Sequence, residues 1–313
     1  MDNNIYLDHN ATSPLLPEAQ TAMNDASGKS IGNPSSPHWA GRNAKILLEE
    51  ARNSLAKSLG AEPREIIFTS GGSESNNAVL RQLIVASGEQ HLITSAIEHP
   101  SVLETCRILA KQPNISLTEL PVDSSGLISP ESLKYEILSQ TTLISLMAAN
   151  NETGCMQPIE ELCQIAREHE ISFHTDMVQT SGKVKLDLNK SGIDFASVTS
   201  HKIGGPRGIG LLYARQGTSF ESLVTGGKQE RVRRAGTENV TLAVGFAKAL
   251  EWYLENQERL QKQNTHFREK VLDIISNIDG FFQNTNLDQS LHHTLNFGFS
   301  GISAESLLIS LDL

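Results

Sequence analysis

The sequence lacks the features that mark membrane and secreted proteins. Its 313 residues contain no apolar run of the roughly 18 residues that a membrane-spanning helix needs. The first residues carry neither the basic start nor the apolar block of a secretory signal. From these absences we expect a soluble protein with no membrane span and no export signal.

Cysteine and positive charge are also scarce. The three cysteines, Cys106, Cys155 and Cys163, are an odd number without metal-ligand spacing, which fits reduced cytoplasmic thiols better than a disulfide framework. We expect no metal site. The 36 acidic residues outnumber the 26 lysines and arginines, giving a formal net charge of −10 at pH 7. Together with the lack of a basic run, this charge argues against nucleic acid as a main ligand.

Helix and strand patterns alternate from about residue 40. Apolar residues spaced by three or four predict helices, and short buried runs predict strands. The predicted helices are 40–59, 74–86, 100–111 and 159–169, and the predicted strands are 65–70, 91–95, 142–148, 171–176, 195–200 and 208–214. This alternation predicts an α/β fold with a mainly parallel mixed sheet flanked by helices, with ligands beyond the carboxyl ends of the strands.

The last part of the chain predicts the beginning of a second unit. Residues 240–278 have one long helical pattern, followed by a strand-like run at 294–299 and a helix-like run at 304–311. About 35 residues are few for a separate core, so we expect an incomplete small α+β domain. The predicted divisions are an N-terminal segment (1–14) associated with the small domain, a large domain (15–257) and the C-terminal part (258–313).

Lys202 is the residue on which the functional prediction depends. It lies between an apolar strand and a Gly-Gly-Pro turn, where an ammonium group is poorly solvated. Such a site lowers the pKa of the amine, which suits Schiff-base formation with an aldehyde and later proton transfer. A surface lysine in a loop is the competing interpretation.

Asp176 ends another predicted strand, where a carboxylate is costly unless it is paired. The protonated ring nitrogen of pyridoxal phosphate is a suitable partner, and Gln179, three residues on, can donate to the phenolic oxygen of the ring. A lysine and an acid at two strand ends can therefore hold the two reactive ends of this cofactor. The alternative for Asp176 is a helix N-cap.

Residues 70–77 follow a strand and open a helix. Backbone N–H groups near Gly72 can approach an anion, Ser73 adds a hydroxyl, and a helix N-terminus favours negative charge. Ser200 and His201, at another strand end, can reach the same phosphate. A serine cap after a glycine turn explains the first motif equally well.

Three further polar positions can each be interpreted either as part of a binding site or as part of the local structure. His99 can stack on a cofactor ring and shuttle protons, although a lone histidine is more often a polar cap. The amide of Asn151 can bind the ring hydroxyl or a substrate carboxylate, or belong to a turn. Residues 233–239, which include Thr237, suit an anion or form a basic loop on an acidic protein.

Taken together, these segments resemble the cysteine desulfurase family of the class V aminotransferase group, which are fold type I pyridoxal-phosphate enzymes. The resemblance covers nearly the whole chain in family order, in the style of the iron–sulfur-assembly and nitrogen-fixation branch. The matching motifs are 5–12 (IYLDHNAT), 32–36 (GNPSS), 68–75 (FTSGGSES), 98–99 (EH), 150–152 (NNE), 174–176 (HTD), 200–202 (SHK), 234–239 (RAGTEN) and 304–308 (AESLL).

The resemblance implies a role for each matching residue. The implied roles are the Schiff base for Lys202, the pyridinium partner for Asp176, the phenolate contact for Gln179, ring stacking and proton transfer for His99, a place near the ring or substrate for Asn151, and the phosphate for Gly72, Ser73, Ser200 and His201. Thr237 would reach the phosphate in the neighbouring subunit's site, which implies a homodimer.

The implied reaction converts L-cysteine to L-alanine, while a protein cysteine thiolate takes the sulfur as a persulfide for a sulfur-acceptor or scaffold protein. In the family, that cysteine lies on a loop shortly after the segment that resembles residues 304–313. We therefore expect a truncated form that binds the cofactor without completing sulfur transfer. Two alternatives are another class V aminotransferase or lyase, and a non-catalytic cofactor-binding remnant that acts through a partner.

Overall fold

One seven-stranded sheet organises the computed structural model, which describes residues 5–284 and 286–312. The strands are β1 (Ile66–Thr69), β2 (Gln90–Ser95), β3 (Ile115–Leu120), β4 (Thr141–Ser145), β5 (Ser172–Asp176), β6 (Phe195–Thr199) and β7 (Gly210–Ala214). Their order is β1-β7-β6-β5-β4-β2-β3, with β7 antiparallel to both neighbours and the other pairs parallel. The predicted α/β class with a mainly parallel mixed sheet is confirmed.

Ten α-helices lie along the described residues. They are α1 (Pro17–Lys29), α2 (Trp39–Leu59), α3 (Gly72–Leu80), α4 (Gln82–Val85), α5 (Pro100–Leu109), α6 (Pro130–Glu136), α7 (Ile159–Glu168), α8 (Leu188–Ser191), α9 (Val240–Ile275) and α10 (Ala304–Asp312). Both α1 and α2 pack against α9. Helix α2 ends at Gly60, whose φ of 63° is the left-handed conformation that glycine adopts without strain. No helix in the described ranges is long and apolar enough to cross a membrane.

The central strands are buried on both faces, which explains their nearly continuous apolar or small sequences. All five residues of β6 are buried, for example, and so are all six of β2. Large side chains such as Leu55, Phe173 and Phe246 fill the principal hydrophobic cluster. Because both faces are filled, the polar ends of the strands are the natural place for a ligand.

Several elements differ from the prediction. The sequence does not predict β3, because this edge strand is half exposed and lacks the apolar run typical of the central strands. It also does not predict α1 or α6. The predicted helix at 74–86 is two helices, since α3 starts at Gly72 and ends before Arg81, and α4 follows.

The C-terminal part begins within α9, which runs unbroken through the predicted division at 257/258. Its buried residues all lie between Val240 and Leu250, and α10 has no buried residue among those described. A second, two-stranded antiparallel sheet pairs β8 (Phe281–Gln283) with β9 (Phe297–Phe299). The proposed domain divisions stay a prediction.

Candidate active site

A cavity of 230 Å³ opens where five strands that run in the same direction end. Because such strands all end at one edge of the sheet, residues far apart in sequence meet there. The lining residues are Ala11, Gly72, Ser73, Asn76, His99, Ser101, Met147, Ala149, Asn151, Asp176, Val178, Gln179, Thr199, His201 and Lys202. A larger surface depression of 800 Å³ beside α7 contains none of the predicted site residues.

Lys202 lies at the end of β6 in a 3₁₀ turn, Ser200–Ile203, that closes at Gly204 with a φ of 69°. Its side chain is partly buried, and Nζ donates to the backbone carbonyls of Asn10 and, at 2.7 Å, Ala11. Desolvation lowers the pKa of Lys202, although the nearby carboxylates of Asp176 and Asp8 oppose this shift. The structure therefore places the amine in the cavity rather than on a surface loop.

Asp176 is buried at the end of β5 and caps no helix. Its Oδ1 accepts from the Val178 N–H at 2.9 Å, and its Oδ2 accepts from Asn76 Nδ2 at 2.7 Å. Desolvation raises the pKa of Asp176, while these hydrogen bonds and the nearby His99 and Lys202 side chains lower it. A cation in front of the carboxylate would offset the cost of burial.

Two side chains that line the cavity each have a buried polar atom with no hydrogen-bond partner among the described residues. These atoms are Asn76 Oδ1 and Gln179 Oε1. The other end of the Gln179 amide donates to Asn10 O at 3.0 Å. Because an unpaired buried polar atom is costly, these atoms mark positions where polar groups of a ligand would bind.

His99 both caps a helix and lines the cavity. As the N-cap of α5, its Nδ1 accepts from the Ser101 N–H at 3.1 Å, and its ring is exposed at the cavity.

The neighbouring residues Asn150 and Asn151 have different roles. Asn150 Oδ1 accepts from the Glu152 and Thr153 N–H groups, both at 2.9 Å, and builds the turn, which leaves Asn151 to line the cavity.

Gly72, Ser73 and His201 line the cavity and also an adjoining hollow of 370 Å³. A Cβ at Gly72 would approach Val178 Cγ2 to 2.8 Å, so a side chain does not fit there. Desolvation, followed by the charges of Lys202 and Arg207, lowers the pKa of His201 to about 4. Arg207, which also lines this hollow, and the start of α3 make it suitable for an anion.

Two predicted site residues do not line the cavity of their own chain: Ser200, which is fully buried, and Thr237, which is exposed. Beside it, Arg234 Nε and Nη2 donate to the carboxylate of Glu74, at 2.9 and 3.2 Å. The Arg234 charge is therefore neutralised by a partner within the chain. Arg233 donates to the backbone carbonyl of Arg64.

Sequence reasoning missed several residues of the site. Asn76 and Ser101 line the cavity and contact Asp176 and His99. The N-terminal segment also contributes, because Asn10 Nδ2 donates to Asn151 O at 3.1 Å. Asn76 lies in the second turn of α3 and Ser101 in the first turn of α5, and each of these helices follows a predicted strand end.

The cysteines lie away from the cavity. Cys106, Cys155 and Cys163 are free and buried. Desolvation raises the pKa of Cys106 to about 12 and those of Cys155 and Cys163 to about 11. These thiols therefore stay protonated at neutral pH. In the described part of the chain no group of three or more residues is arranged to hold a metal ion.

Known proteins resemble the chain along its length. The aminotransferase class-V family matches residues 5–313. The cysteine desulfurase IscS of Dictyoglomus turgidum is 42% identical over 316 residues, covering 100% of this chain and 80% of that protein. That of Methanosarcina thermophila is 42% identical, covering 98% and 76%.

Solved structures give the same result. A NifS-like protein has a TM-score of 0.94 at 36% identity, covering 99% of this chain and 86% of that chain. SspA in complex with cysteine has a TM-score of 0.88 at 35% identity, covering 98% and 87%. The chain therefore belongs to the aminotransferase class-V family, among the cysteine desulfurases.

Proposed function

We propose that this chain binds pyridoxal 5′-phosphate at the carboxyl edge of the sheet and acts on L-cysteine as a cysteine desulfurase. The observation that carries the proposal is that the amine of Lys202 and the buried carboxylate of Asp176 line one cavity. The names of the relatives and the cysteine complex of SspA support the substrate. Enzymes of this family depend on pyridoxal phosphate in general.

The residues at the cavity fit this cofactor. A protonated ring nitrogen would offset the desolvation of Asp176, which raises the pKa of that carboxyl. Ser73, Thr199 and His201 line the hollow that suits a phosphate. The lack of room for a side chain at Gly72 keeps the backbone open to the ligand.

Each predicted site residue has a place in this proposal. Lys202 would bind the aldehyde carbon, Asp176 the ring nitrogen and Gln179 the phenolic oxygen, with His99 against the ring and Asn151 beside the ring or substrate. The phosphate would be held by Gly72, Ser73, Ser200 and His201, and by Thr237 of a second copy in a homodimer.

Pyridoxal phosphate, when bound, supplies a sink for the electron pair left at the α-carbon of an amino acid. Lys202 contributes an amine whose pKa is lowered by desolvation, so more of it is the free base that bonds to a carbonyl carbon. With the cofactor bound, Nζ of Lys202 would also hold or move a proton near the α-carbon of the substrate. Asp176 keeps the ring nitrogen protonated, and Asn151 can orient the substrate.

The net reaction balances without an oxidant. The carbon–sulfur bond of cysteine breaks, the carbon takes a proton to give alanine, and the sulfur bonds to a thiolate as a persulfide. The buried Cys106, Cys155 and Cys163 are unsuited to this because their raised pKa values keep them protonated. We therefore propose that the sulfur goes to another thiol, for delivery to an iron–sulfur or thiolation pathway. The free cysteines favour the cytoplasm as the location.

The lysine assignment is tested by incubating the chain with pyridoxal phosphate, reducing the adduct with borohydride and locating the label by peptide mass spectrometry. We expect the label on Lys202 and its loss, together with the visible absorption, in Lys202→Ala. Lys185→Ala, at an exposed lysine, is the control and should bind normally. A label on another lysine, or an unaltered spectrum in Lys202→Ala, would refute the proposal. Alanine release from L-cysteine with an added thiol then tests the reaction.

A further inference from the structure

His99 and Asp176 are joined by a chain of hydrogen bonds through two side chains that sequence reasoning missed. Asn76 Nδ2 donates to Asp176 Oδ2 at 2.7 Å and to Ser101 Oγ at 2.9 Å. Ser101 Oγ lies 2.8 Å from His99 Nδ1. Asn76 and Asp176 are 1% and 6% exposed, so water competes little for these bonds.

The donor groups fix the direction of each hydrogen bond between His99 and Asp176. An ionised carboxylate only accepts, so Asn76 turns its NH₂ group towards Asp176, and the second hydrogen of that group points to Ser101 Oγ. The backbone N–H of Ser101 donates to His99 Nδ1. Nδ1 is therefore an acceptor, and the Ser101 hydroxyl also donates to it.

This assignment determines the tautomer of His99. A neutral imidazole that accepts at Nδ1 carries its proton at Nε2. Nε2 makes no hydrogen bond to any residue in 5–284 or 286–312, and the ring lines the cavity. The Nε2 proton is therefore free to interact with a ligand.

Rigid elements hold the two connecting side chains. Asn76 lies within α3 and Ser101 in the first turn of α5, and these helices pack against each other. Groups on packed helices are positioned more accurately than groups on loops. The fold therefore sets the distance between the histidine and the acid.

We propose that Asn76 and Ser101 are positioning residues that keep the proton of His99 on Nε2, facing the cavity, and orient the carboxylate of Asp176. The inference rests on the proposed function, in which His99 and Asp176 face the cofactor ring. The Asn76 amide contacts both Asp176 and Ser101. Changing Asn76 therefore disturbs the acid directly and the histidine through Ser101. Changing Ser101 disturbs only the histidine.

The tautomer is tested by NMR of the cofactor-free protein labelled with ¹⁵N-histidine. His99→Gln identifies the His99 signals among the 10 histidines. We expect the wild-type protein to be protonated at Nε2 and not at Nδ1. In Asn76→Ala and Ser101→Ala the ratio of tautomers should shift towards Nδ1–H by about fivefold, the effect of one hydrogen bond. Ser101→Thr restores the hydroxyl and should restore the ratio.

The matched control is Asn77→Ala. Asn77 is the next residue on α3 and contacts the carbonyl of Ser101 at 3.4 Å, but it lies outside the chain of bonds to Asp176. It should leave the tautomer ratio unchanged. Protonation of Nδ1 in the wild type, or a ratio that neither Asn76→Ala nor Ser101→Ala alters, would overturn the inference.

The effect of Asn76 on Asp176 is tested by titrating each variant with pyridoxal phosphate and following the visible absorption. Asn76→Ala removes one hydrogen bond to Asp176 and should raise the Kd about fivefold. Ser101→Ala should raise it less, and Asn77→Ala should keep the wild-type Kd. An equal loss of affinity for pyridoxal phosphate in Ser101→Ala and Asn76→Ala would contradict the inference that only Asn76 contacts Asp176. Thermal unfolding of each variant shows that it is folded.

The two proposals fail in distinguishable ways. The histidine measurement needs no cofactor, so an absent Lys202 label defeats the proposed function and leaves the tautomer result standing. A correct label with an unchanged tautomer ratio in both alanine variants defeats only the inference about Asn76 and Ser101.

Discussion

Lys183 Nζ lies 3.2 Å from Nε2 of His293, and no ion pair joins this amine to an acidic side chain in the described part of the chain. Burial, and then the charge of Lys202, lower the pKa of Lys183 from 10.5 to about 7. Burial also holds the pKa of His293 well below its usual value, so the histidine is the acceptor. The contact joins the loop after β5 to the C-terminal part of the chain.

The Lys183 amine predicts a stability that depends on pH. Between about pH 7 and 10.5 the unfolded chain binds more protons at Lys183 than the folded chain, so this group makes stability rise with pH in that window. Lys183→Met removes this contribution. We expect the variant to be about 1 kcal/mol more stable at pH 7, after the loss of the bond to His293, and to lose this advantage near pH 10.

Urea unfolding at pH 7, 8.5 and 10 measures the effect, with Lys185→Met, at an exposed lysine two residues on, as the control. If the free energy of unfolding changes with pH in the same way for Lys183→Met and the wild type, the Lys183 amine is not desolvated.

Much of the fold follows from the sequence because the central strands are buried on both faces. The strands that end at Asp176 and before Lys202 are recognised by continuous burial, and so is the edge at which they meet. The edge strand β3 is missed because half of its surface faces solvent and its pattern is mixed. Burial, rather than β-propensity, therefore decides which strands the sequence reveals.

The site is harder to predict wherever a side chain has a distant partner. Arg234 resembles a free anion ligand in the sequence, but Glu74, 160 positions away, neutralises it. Asn76 and Ser101 have no distinctive pattern, since an amide and a hydroxyl gain their roles only when α3 and α5 bring them together. A sequence read in local windows identifies the strand ends, and the fold decides which groups remain free there.

Glu98 is a second buried acid near the cavity, and its charge state is predicted by its surroundings. Its Oε1 accepts from Ser95 Oγ and from the Met147 N–H, at 2.7 and 2.8 Å, and Oε2 has no described partner. Desolvation raises the pKa of Glu98 to about 8. Between the unfolded value of 4.5 and pH 8 the folded chain binds more protons, so this group makes stability fall as pH rises.

We therefore expect Glu98→Gln, which is neutral at every pH, to match the wild type near pH 4.5 and to become more stable by on the order of 2 kcal/mol at pH 8. Chemical unfolding across that range is the measurement, with the exposed Glu89→Gln as the control. A variant that loses stability relative to the wild type as pH rises would mean that Glu98 is ionised in the fold.

Arg52 and Glu230 form a buried ion pair with two hydrogen bonds, at 2.7 and 2.8 Å, and are 2% and 5% exposed. Removing one partner leaves a buried charge, so Arg52→Met should cost about 3–5 kcal/mol of the free energy of unfolding. The double variant Arg52→Met/Glu230→Leu should recover a large part of this loss. Equal losses of unfolding free energy in the single and double variants would show that the unpaired charge does not cause the destabilisation.

Val232 follows Glu230 and Arg231 in a run of three left-handed residues, with φ angles of 46°, 57° and 70°. A β-branched residue is strained in this conformation, and the Val232 side chain is 64% exposed, so it loses little packing when it is removed. We expect Val232→Gly to stabilise the protein by about 1 kcal/mol, because glycine adopts a positive φ at no steric cost.

The matched control is Val271→Gly, at a 41% exposed valine inside α9, where glycine should instead destabilise by up to about 1 kcal/mol. Thermal and urea unfolding of the two variants compare the same substitution in two backbone conformations. Destabilisation of both by similar amounts would show that Val232 is not strained, because only a left-handed backbone reverses the sign of a valine-to-glycine change.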